Sequence, residues 1–283
     1  ASTATGDTPL ALRPFYFYDS PHRVRLFVAA EIGLEGVAIT RKNGDKVGVD
    51  LDVMGVAYAE SGVIAARFSE TVPVRFDKGA PAGEWKQKSA AYRNYFRLPP
   101  GRYRLKLAVS DGQRVLGVEE TSVEVPRLPE RGPAGSSLVV VERALPMPEL
   151  IRDLQARLLD EDDPLVYRGS RVEPSVTNKV AVGAAIPVLF HLYNLPSSTG
   201  SEDMAATGKL VAADGRTYAG MPVSLGKAML PGGGAEAVAG LSLAFPDAPA
   251  GRYRLVVEVA GQEAAPGNAE ESVQMETDLT LAR

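Results

Sequence analysis

A five-residue segment, Gly-Arg-Tyr-Arg-Leu, occurs twice without change in this 283-residue chain. It spans residues 101–105 and again residues 251–255, and 251 − 101 = 150 residues separate the two copies. A proline-containing turn precedes each copy, and a run of alternating apolar residues follows it, which is typical of a β-strand with one buried face. A repeat at this distance predicts two copies of one domain type.

Each copy places a tyrosine two residues after its glycine, Tyr103 in the first and Tyr253 in the second. In immunoglobulin-like sandwiches a tyrosine at the corner before a central strand donates its hydroxyl to the nearby backbone. An unpaired hydroxyl in a protein core costs on the order of 1–3 kcal/mol, so such a tyrosine needs that partner. The pattern therefore predicts that Tyr103 and Tyr253 are structural corner residues rather than members of a binding site.

The two halves also correspond upstream of the repeated segment. Two glycines at the same spacing flank a short strand in each half, Gly55 with Gly62 and Gly208 with Gly215. Gly62, Gly112 and Gly215 each follow serine or aspartate, a pair typical of hairpin turns because glycine accepts a positive φ. Many short strands and little helical periodicity predict an all-β fold of two tandem immunoglobulin- or fibronectin-like sandwiches.

The pattern divides the chain into four segments. Residues 1–8 form a polar N-terminal segment that we expect to be flexible and to tether the chain to an upstream domain or a partner. Residues 9–126 form the first sandwich, 127–137 a linker rich in proline and glycine, and 138–283 the second sandwich. Apolar residues at helical spacing predict one helix, over about residues 148–159, at the start of the second domain.

Composition excludes several classes of protein. At 45% hydrophobic and 23% charged residues the chain is able to bury two cores. It contains no run of 18 apolar residues, so we do not predict a membrane span. The absence of cysteine excludes disulfides, thiolate metal sites and cysteine nucleophiles. Neither half combines a cluster of basic residues with interleaved aromatics, so we do not expect nucleic-acid binding.

Catalytic motifs are missing from the sequence. The two histidines, His22 and His191, fall in different predicted domains, so neither domain has the two histidines that many metal sites use. Strand alternation places His191 opposite Phe190, on the wetter face, and His22 lies in a turn. A glycine-rich stretch ending at Ala228 is one residue too long for a P-loop and lacks the hydroxyl that binds magnesium. We therefore expect no catalytic residue, no cofactor and no enzymatic activity.

One acidic run is the candidate metal site. A run of four carboxylates follows the predicted helix. In this interpretation calcium is bound there by Asp160, Asp162 and Asp163. The run lacks the alternating oxygen ligands and the central glycine of an EF-hand loop. Because runs of like charge usually face solvent, we expect a solvated loop, with calcium binding as the alternative.

Two aromatic-rich stretches form a candidate ligand or partner surface. On a strand, residues 15–18 place two phenylalanines on one face and two tyrosines on the other. We expect the phenylalanines in the core and the tyrosines at half-buried positions; exposed tyrosines would form a platform for a sugar or a partner. The residues of this surface are Tyr16, Tyr18, Trp85, Tyr92 and Tyr95.

Several strand and turn segments resemble a known bacterial family. They are residues 9–17, 23–32, 62–66, 98–105, 122–126, 163–166 and 172–176. In this order they resemble the region that follows the von Willebrand factor A domain in the VWFA-related proteins common in Acidobacteria. The A domain and its Asp-x-Ser-x-Ser metal motif are absent, so no metal-binding residue is carried over. The resemblance implies an exported or envelope-associated β-sandwich module without an assigned activity.

These observations favour a non-enzymatic extracytoplasmic interaction or scaffold module of the bacterial cell envelope. Such a module would be periplasmic, displayed on the cell surface or secreted, with a protein partner or a neighbouring subunit. A carbohydrate-binding accessory module is one alternative, argued from the aromatic stretches. A self-assembling surface or filament subunit is the other, in which an N-terminal segment pairs with the open sheet edge of a neighbour.

Overall fold

The computed structural model describes residues 8–35, 37–38, 40–43, 46–77, 89–147, 163–195, 204–225, 229–231, 236–261 and 272–283. Every helix or strand element within these residues is a β-strand, so the predicted all-β class is confirmed. The chain divides into two compact units, Ala1–Leu128 and Pro129–Arg283. The helix predicted over residues 148–159 lies outside the described residues.

The described part of the first unit contains eight strands in two antiparallel sheets. They are β1 (Leu10–Ser20), β2 (Arg23–Gly33), β3 (Arg41–Asn43), β4 (Lys46–Ala59), β5 (Ile64–Asp77), β6 (Ser89–Leu98), β7 (Gly101–Ser110) and β8 (Val115–Val125). One sheet has the order β1-β2-β6. In the other, β5 lies on one side of β4, and β3 and then β7 lie on its opposite side, with β8 beyond β7.

The two sheets of the first unit share one core. Ala30 and Ile32 enter it from β2, and Leu51, Val53 and Leu107 enter it from the facing sheet; each is at most 1% exposed. Because successive strand residues point to opposite faces, these positions identify the inner face of each sheet. The first unit is therefore a β-sandwich.

The first strand also lies beside the last strand of the facing sheet. Thr8 donates its backbone N–H to the carbonyl of Leu116 at 3.1 Å, where both strands begin. At the other end, the Tyr18 hydroxyl donates to the carbonyl of Pro126 at 2.8 Å, so β1 and β8 run in the same direction. Thr8 is 7% exposed, and the prediction that the flexible segment includes it is wrong because its backbone joins the two sheets.

The described part of the second unit contains thirteen strands in two sheets. They are β9 (Ala134–Gly135), β10 (Val139–Pro146), β11 (Val166–Tyr167), β12 (Ser170–Pro174), β13 (Lys179–Ala181), β14 (Ile186–Tyr193), β15 (Met204–Ala212), β16 (Thr217–Ala219), β17 (Val223–Ser224), β18 (Met229–Pro231), β19 (Ala237–Leu243), β20 (Gly251–Gly261) and β21 (Ser272–Ala282). One sheet has the order β11-β12-β10-β14-β19-β18, with β9 also paired to β14. The other has the order β13-β21-β20-β15-β16, with β17 also paired to β15. Residues of both sheets, Phe190 and Val257 among them, share one buried core.

The predicted linker over residues 127–137 is shorter in the structure. Its β9 pairs with the end of β14, and the backbone N–H of Ser136 donates to the carbonyl of His191 at 2.9 Å. Ala134 and Ser136 are both buried. From Ala134 onward this segment therefore belongs to the second sandwich. A two-residue strand is too short to show a periodic pattern, so alternation could not reveal it.

The strand order of the first unit recurs in the second. The path β1-β2-β6 corresponds to β10-β14-β19, and the path β4-β7-β8 corresponds to β15-β20-β21. The short strands β16 and β17 pair with β15 where the long β5 pairs with β4. Tyr103 and Tyr253 therefore lie at the beginning of equivalent strands, each flanked by two others.

Candidate functional site

His191 is held in a structural contact at the surface of its sheet. Its Nε2 lies 2.9 Å from the carbonyl oxygen of Pro164, and its ring stacks near Tyr193 with the centroids 6.2 Å apart. His22 lies exposed in the turn between β1 and β2. Within the residues that the structure describes, no group of three or more histidine, aspartate or glutamate side chains could hold a metal ion.

Asp163 is the only member of the calcium candidate that falls within the described residues. Its Oδ1 accepts the backbone N–H of Leu165 at 3.0 Å, and its carbonyl accepts that of Val166 at 3.0 Å. These bonds shape the turn that leads into β11. Asp160 and Asp162 lie outside the described residues, so calcium binding by the acidic run stays a prediction.

Both predicted corner tyrosines make a backbone hydrogen bond. The Tyr103 hydroxyl donates to the carbonyl of Pro99 at 2.7 Å, and the Tyr253 hydroxyl donates to that of Pro249 at 2.8 Å. Burial raises the pKa of each phenol above its ordinary value. The two hydroxyls thus fix the turn before equivalent strands and are not presented to a ligand.

We expect Tyr103→Phe and Tyr253→Phe each to lower the free energy of unfolding of their own unit by about 0.5–1.5 kcal/mol, since each removes one hydrogen bond and keeps the ring. Tyr58→Phe is the matched control: its half-buried ring packs under Arg104, 4.8 Å from the centroid, and we expect a change of a few tenths of a kcal/mol. Denaturant unfolding measures all three. Losses no larger than that of the control would contradict the corner role.

The tyrosines of the first aromatic stretch face the core, so Tyr16 and Tyr18 are not exposed as the alternative of a binding platform required. Their cross-strand partners are Leu26 and Val24, both fully buried on the inner face of β2. The two phenol rings touch edge to face, with centroids 5.5 Å apart, and burial raises the pKa of Tyr16 to about 12. Alternation separates the tyrosines from the phenylalanines, but it does not reveal which set turns inward.

The phenylalanines lie on the outer face of the same sheet and are nevertheless buried. Phe15 stacks on Phe27 with ring centroids 5.3 Å apart, and each is 3% exposed. Phe27 pairs across the strands with Tyr95, which is 37% exposed, and the Arg97 guanidinium lies 5.3 Å from its ring centroid. Of the predicted surface residues within the described ranges, Tyr95 alone is well exposed; Trp85 lies outside those ranges.

Tyr92 ties the two sheets of the first unit together at one edge of the sandwich. It is 6% exposed, and its hydroxyl donates to Oε1 of Glu70 on β5 at 2.5 Å. The Asn94 side-chain amide donates to the same oxygen at 2.8 Å. Burial, with the hydrogen bond to Glu70, raises the pKa of Tyr92 well above its ordinary value. The three residues form a structural bridge from β5 to β6.

An apolar surface that the sequence analysis missed lies on the hairpin of β4 and β5. Met54, Tyr58 and Ile64 share its solvent side and are called the hairpin face below. Met54 and Ile64 are each 51% exposed, and Val63 in the adjoining turn is 65% exposed. The signal was present in the sequence of β4. The positions on its solvent side begin with the polar residues Asp50 and Asp52 and continue with the apolar side chains of Met54 and Tyr58.

Beside the hairpin face is a shallow depression of about 410 Å³ with internally paired charges. Arg102 lies 3.2 Å from a carboxylate oxygen of Glu124, and Arg104 lies 2.7 Å from one of Glu120. The four charged side chains are therefore paired with one another within the first unit.

The described residues contain no helix long and apolar enough to cross a membrane. No family model matches the chain, and no curated protein matches it. Among solved structures, the chain is similar to a candidate beta-galactosidase from Bacteroides fragilis, with 12% sequence identity and a TM-score of 0.30. That match covers 44% of this chain and 17% of the other, and a likeness this weak carries no argument about function.

Proposed function

We propose that this chain is a non-enzymatic interaction module of the bacterial cell envelope or exterior, built from two tandem immunoglobulin- or fibronectin-like sandwiches. The repeated strand order and the tyrosine corner at equivalent strands support the fold assignment. The resemblance to the region after the A domain of VWFA-related proteins supports the extracytoplasmic location.

The hairpin face is the observation that carries the proposed binding function. Exposed apolar side chains that adjoin one another and are rimmed by polar groups mark interaction sites in soluble proteins. Met54 and Ile64 are half exposed on this face, and the row between them holds Val56 with the exposed cations Arg67 and Lys106 on either side. Methionine and tyrosine are among the residues enriched at protein interfaces, whereas lysine belongs to the rim. We infer that this face binds a protein partner.

A carbohydrate ligand receives less support from the same geometry. Sugar stacking needs exposed aromatic rings, and Tyr16, Tyr18 and Tyr92 all turn toward the core of the first unit. Tyr95 is exposed, but it lies on the outer face of the other sheet and has Arg97 over its ring. A single ring of this kind favours a protein partner over a sugar.

Photo-crosslinking in the native cells tests the proposal. A photoreactive amino acid at Ile64 should yield a discrete crosslinked product with an envelope or extracellular protein, since half of that side chain is exposed. Met54→Glu in the same chain should abolish the product, because it places a charge in the apolar face. Leu145, which is 43% exposed in the second unit, provides the matched control position.

Two results would contradict the binding role of the hairpin face. One is the absence of any crosslinked protein from position 64, and the other is an equal yield of the same product from position 145. A product with twice the mass of this chain reports self-association instead of a partner. Protease accessibility on intact cells and on spheroplasts tests the location separately.

A further inference from the structure

We infer that the partner of the hairpin face is an acidic protein, and that its carboxylates meet Arg67 and Lys106 on either side of an apolar contact. This inference rests on the proposed function and names the chemistry of the partner that the hairpin face binds. Two exposed cations carry it, because they lie between the apolar side chains of this face and form no ion pair with a described residue.

The two cations belong to one cross-strand row of the sheet. Val56 on β4 pairs with Arg67 on β5 and, on its other side, with Lys106 on β7. Neighbouring strands lie about 4.8 Å apart, so the two cationic side chains start about 10 Å apart with Val56 between them. Both cations are exposed and Val56 is half-buried. The row therefore presents two positive charges around one apolar side chain.

Apolar side chains adjoin this row on both sides. Tyr58 and Ile64 pair with one another in the next row toward the turn of the hairpin. Met54 stands in the next row in the opposite direction, between the small residues Ser69 and Ala108. Because both of these neighbours are small, Met54 stays 51% exposed. A partner that covers both apolar rows must therefore also cover the two cations between them.

The carboxylate that faces Lys106 in the register is paired elsewhere. Glu120 on β8 is the cross-strand partner of Lys106, but its Oε1 lies 2.7 Å from Nη1 of Arg104. Removing two unpaired cations from water costs free energy, unless the partner supplies opposite charges. Carboxylates at the rim of an apolar contact offset this cost, whereas a basic or wholly apolar partner leaves it uncompensated.

Charge complementarity of this kind also affects the rate of association. The chain carries a formal net charge of −4, so an acidic partner is repelled by its overall charge. The positive row gives such a partner an attractive approach and thereby directs it to this face. Nucleic acids and acidic polysaccharides also carry negative charge, but they gain little from Met54 and Ile64. A protein surface combines carboxylates with apolar side chains and fits both features of the face.

Photo-crosslinking at defined ionic strength tests the charge of the partner. The full chain with a photoreactive amino acid at Ile64 is added to the envelope fraction of the native cells, and the yield of the crosslinked product is measured against the concentration of the chain. We expect the apparent affinity to fall as NaCl is raised from about 50 to about 500 mM, because salt screens exposed charges. A purely apolar contact would keep its affinity at high salt.

Arg67→Gln combined with Lys106→Gln removes both charges and keeps long polar side chains at the two positions. This double variant should weaken the apparent affinity by about 2- to 30-fold, the value of two exposed ion pairs, and should remove most of its dependence on NaCl. Lys179→Gln is the matched control, since Lys179 is exposed on β13 of the second unit, and it should change neither quantity. Thermal unfolding by circular dichroism establishes that each variant is folded, which the exposure of all three side chains allows.

The outcomes separate this inference from the proposed function. If Met54→Glu abolishes the product while NaCl and the double variant leave the affinity unchanged, the inference is wrong and the proposed function stands. Absence of any product contradicts both. Protease treatment of the envelope fraction before mixing should remove the product, and a product that survives this treatment would identify a polyanion other than protein and overturn the inference. A product with twice the mass of this chain would identify a second copy and overturn it equally.

Discussion

Gly55→Ala should lower the free energy of unfolding of the first unit by about 1–3 kcal/mol, the usual cost of overpacking a core. A Cβ atom built on Gly55 would lie 2.2 Å from Cζ of Phe68, its direct cross-strand partner. Phe68 has little freedom to withdraw, because its ring packs against Phe96 and Tyr92. The glycine is therefore required by the ring across the strand and not by its own backbone conformation.

A double-mutant cycle with Phe68→Leu separates this steric effect from a loss of strand propensity. We expect the alanine to cost less in the Phe68→Leu background than in the wild type, since the smaller side chain leaves room for the added methyl group. Ser122→Ala on exposed β8 is the control and should change the free energy of unfolding by less than about 0.5 kcal/mol. Equal costs in both backgrounds would refute the contact.

Phe190→Ala should destabilise the second unit by about 3–5 kcal/mol, the largest effect that we expect from a single substitution. Phe190 is 0% exposed and belongs to the core that both sheets of the second unit share. Truncation removes its buried apolar surface and leaves a cavity that the packed strands fill only in part.

The matched variant is Phe190→Leu, which retains an apolar side chain that partly fills the site and should cost clearly less than the alanine. Denaturant unfolding followed by circular dichroism measures both substitutions. Similar losses for leucine and alanine would mean that the aromatic shape, rather than the buried volume, determines the stability at this position. A loss below 1 kcal/mol for alanine would contradict the core assignment of β14.

The sequence predicts turns and strand beginnings well, because glycine and the corner tyrosine report local backbone geometry. Gly62, Gly112 and Gly215 have φ values of 83°, 82° and 84°, which are the left-handed conformations expected from their hairpin pattern. Tyr103 and Tyr253 make the same bond four residues back along the chain. These features depend on a few neighbouring residues, so one sequence suffices to find them.

Which face of a strand is inward could not be predicted, because that depends on the second sheet. Phe15 and Tyr16 alternate on β1, and the sequence analysis expected the phenylalanine in the core and the tyrosine nearer to solvent. In the structure Tyr16 lies on the inner face, yet Phe15 on the outer face is also nearly inaccessible. A sheet that is buried on both faces gives little contrast between its two sets of side chains.

The candidate sites depend equally on how neighbouring strands pair. Ile64 lies opposite Tyr58, on the same face as Met54, only because β4 and β5 form a hairpin with a bulge near Tyr58, which shifts the register. Likewise, the sequence marks Gly55 only by its spacing from Gly62, and its close approach to the ring of Phe68 follows from the pairing of β4 with β5. Such properties follow from register, and period-two alternation alone leaves register undetermined.

The side-by-side course of β1 and β8 has a mechanical consequence. Both strands run in the same direction, so the chain enters the first unit beside the beginning of β8 and leaves it beside the end of β1. Over an eleven-residue strand these points are roughly 36 Å apart. Tension along the chain would therefore slide the strands past one another and load many contacts together instead of breaking them one by one. In the second unit the paired strands β13 and β21 also run in the same direction.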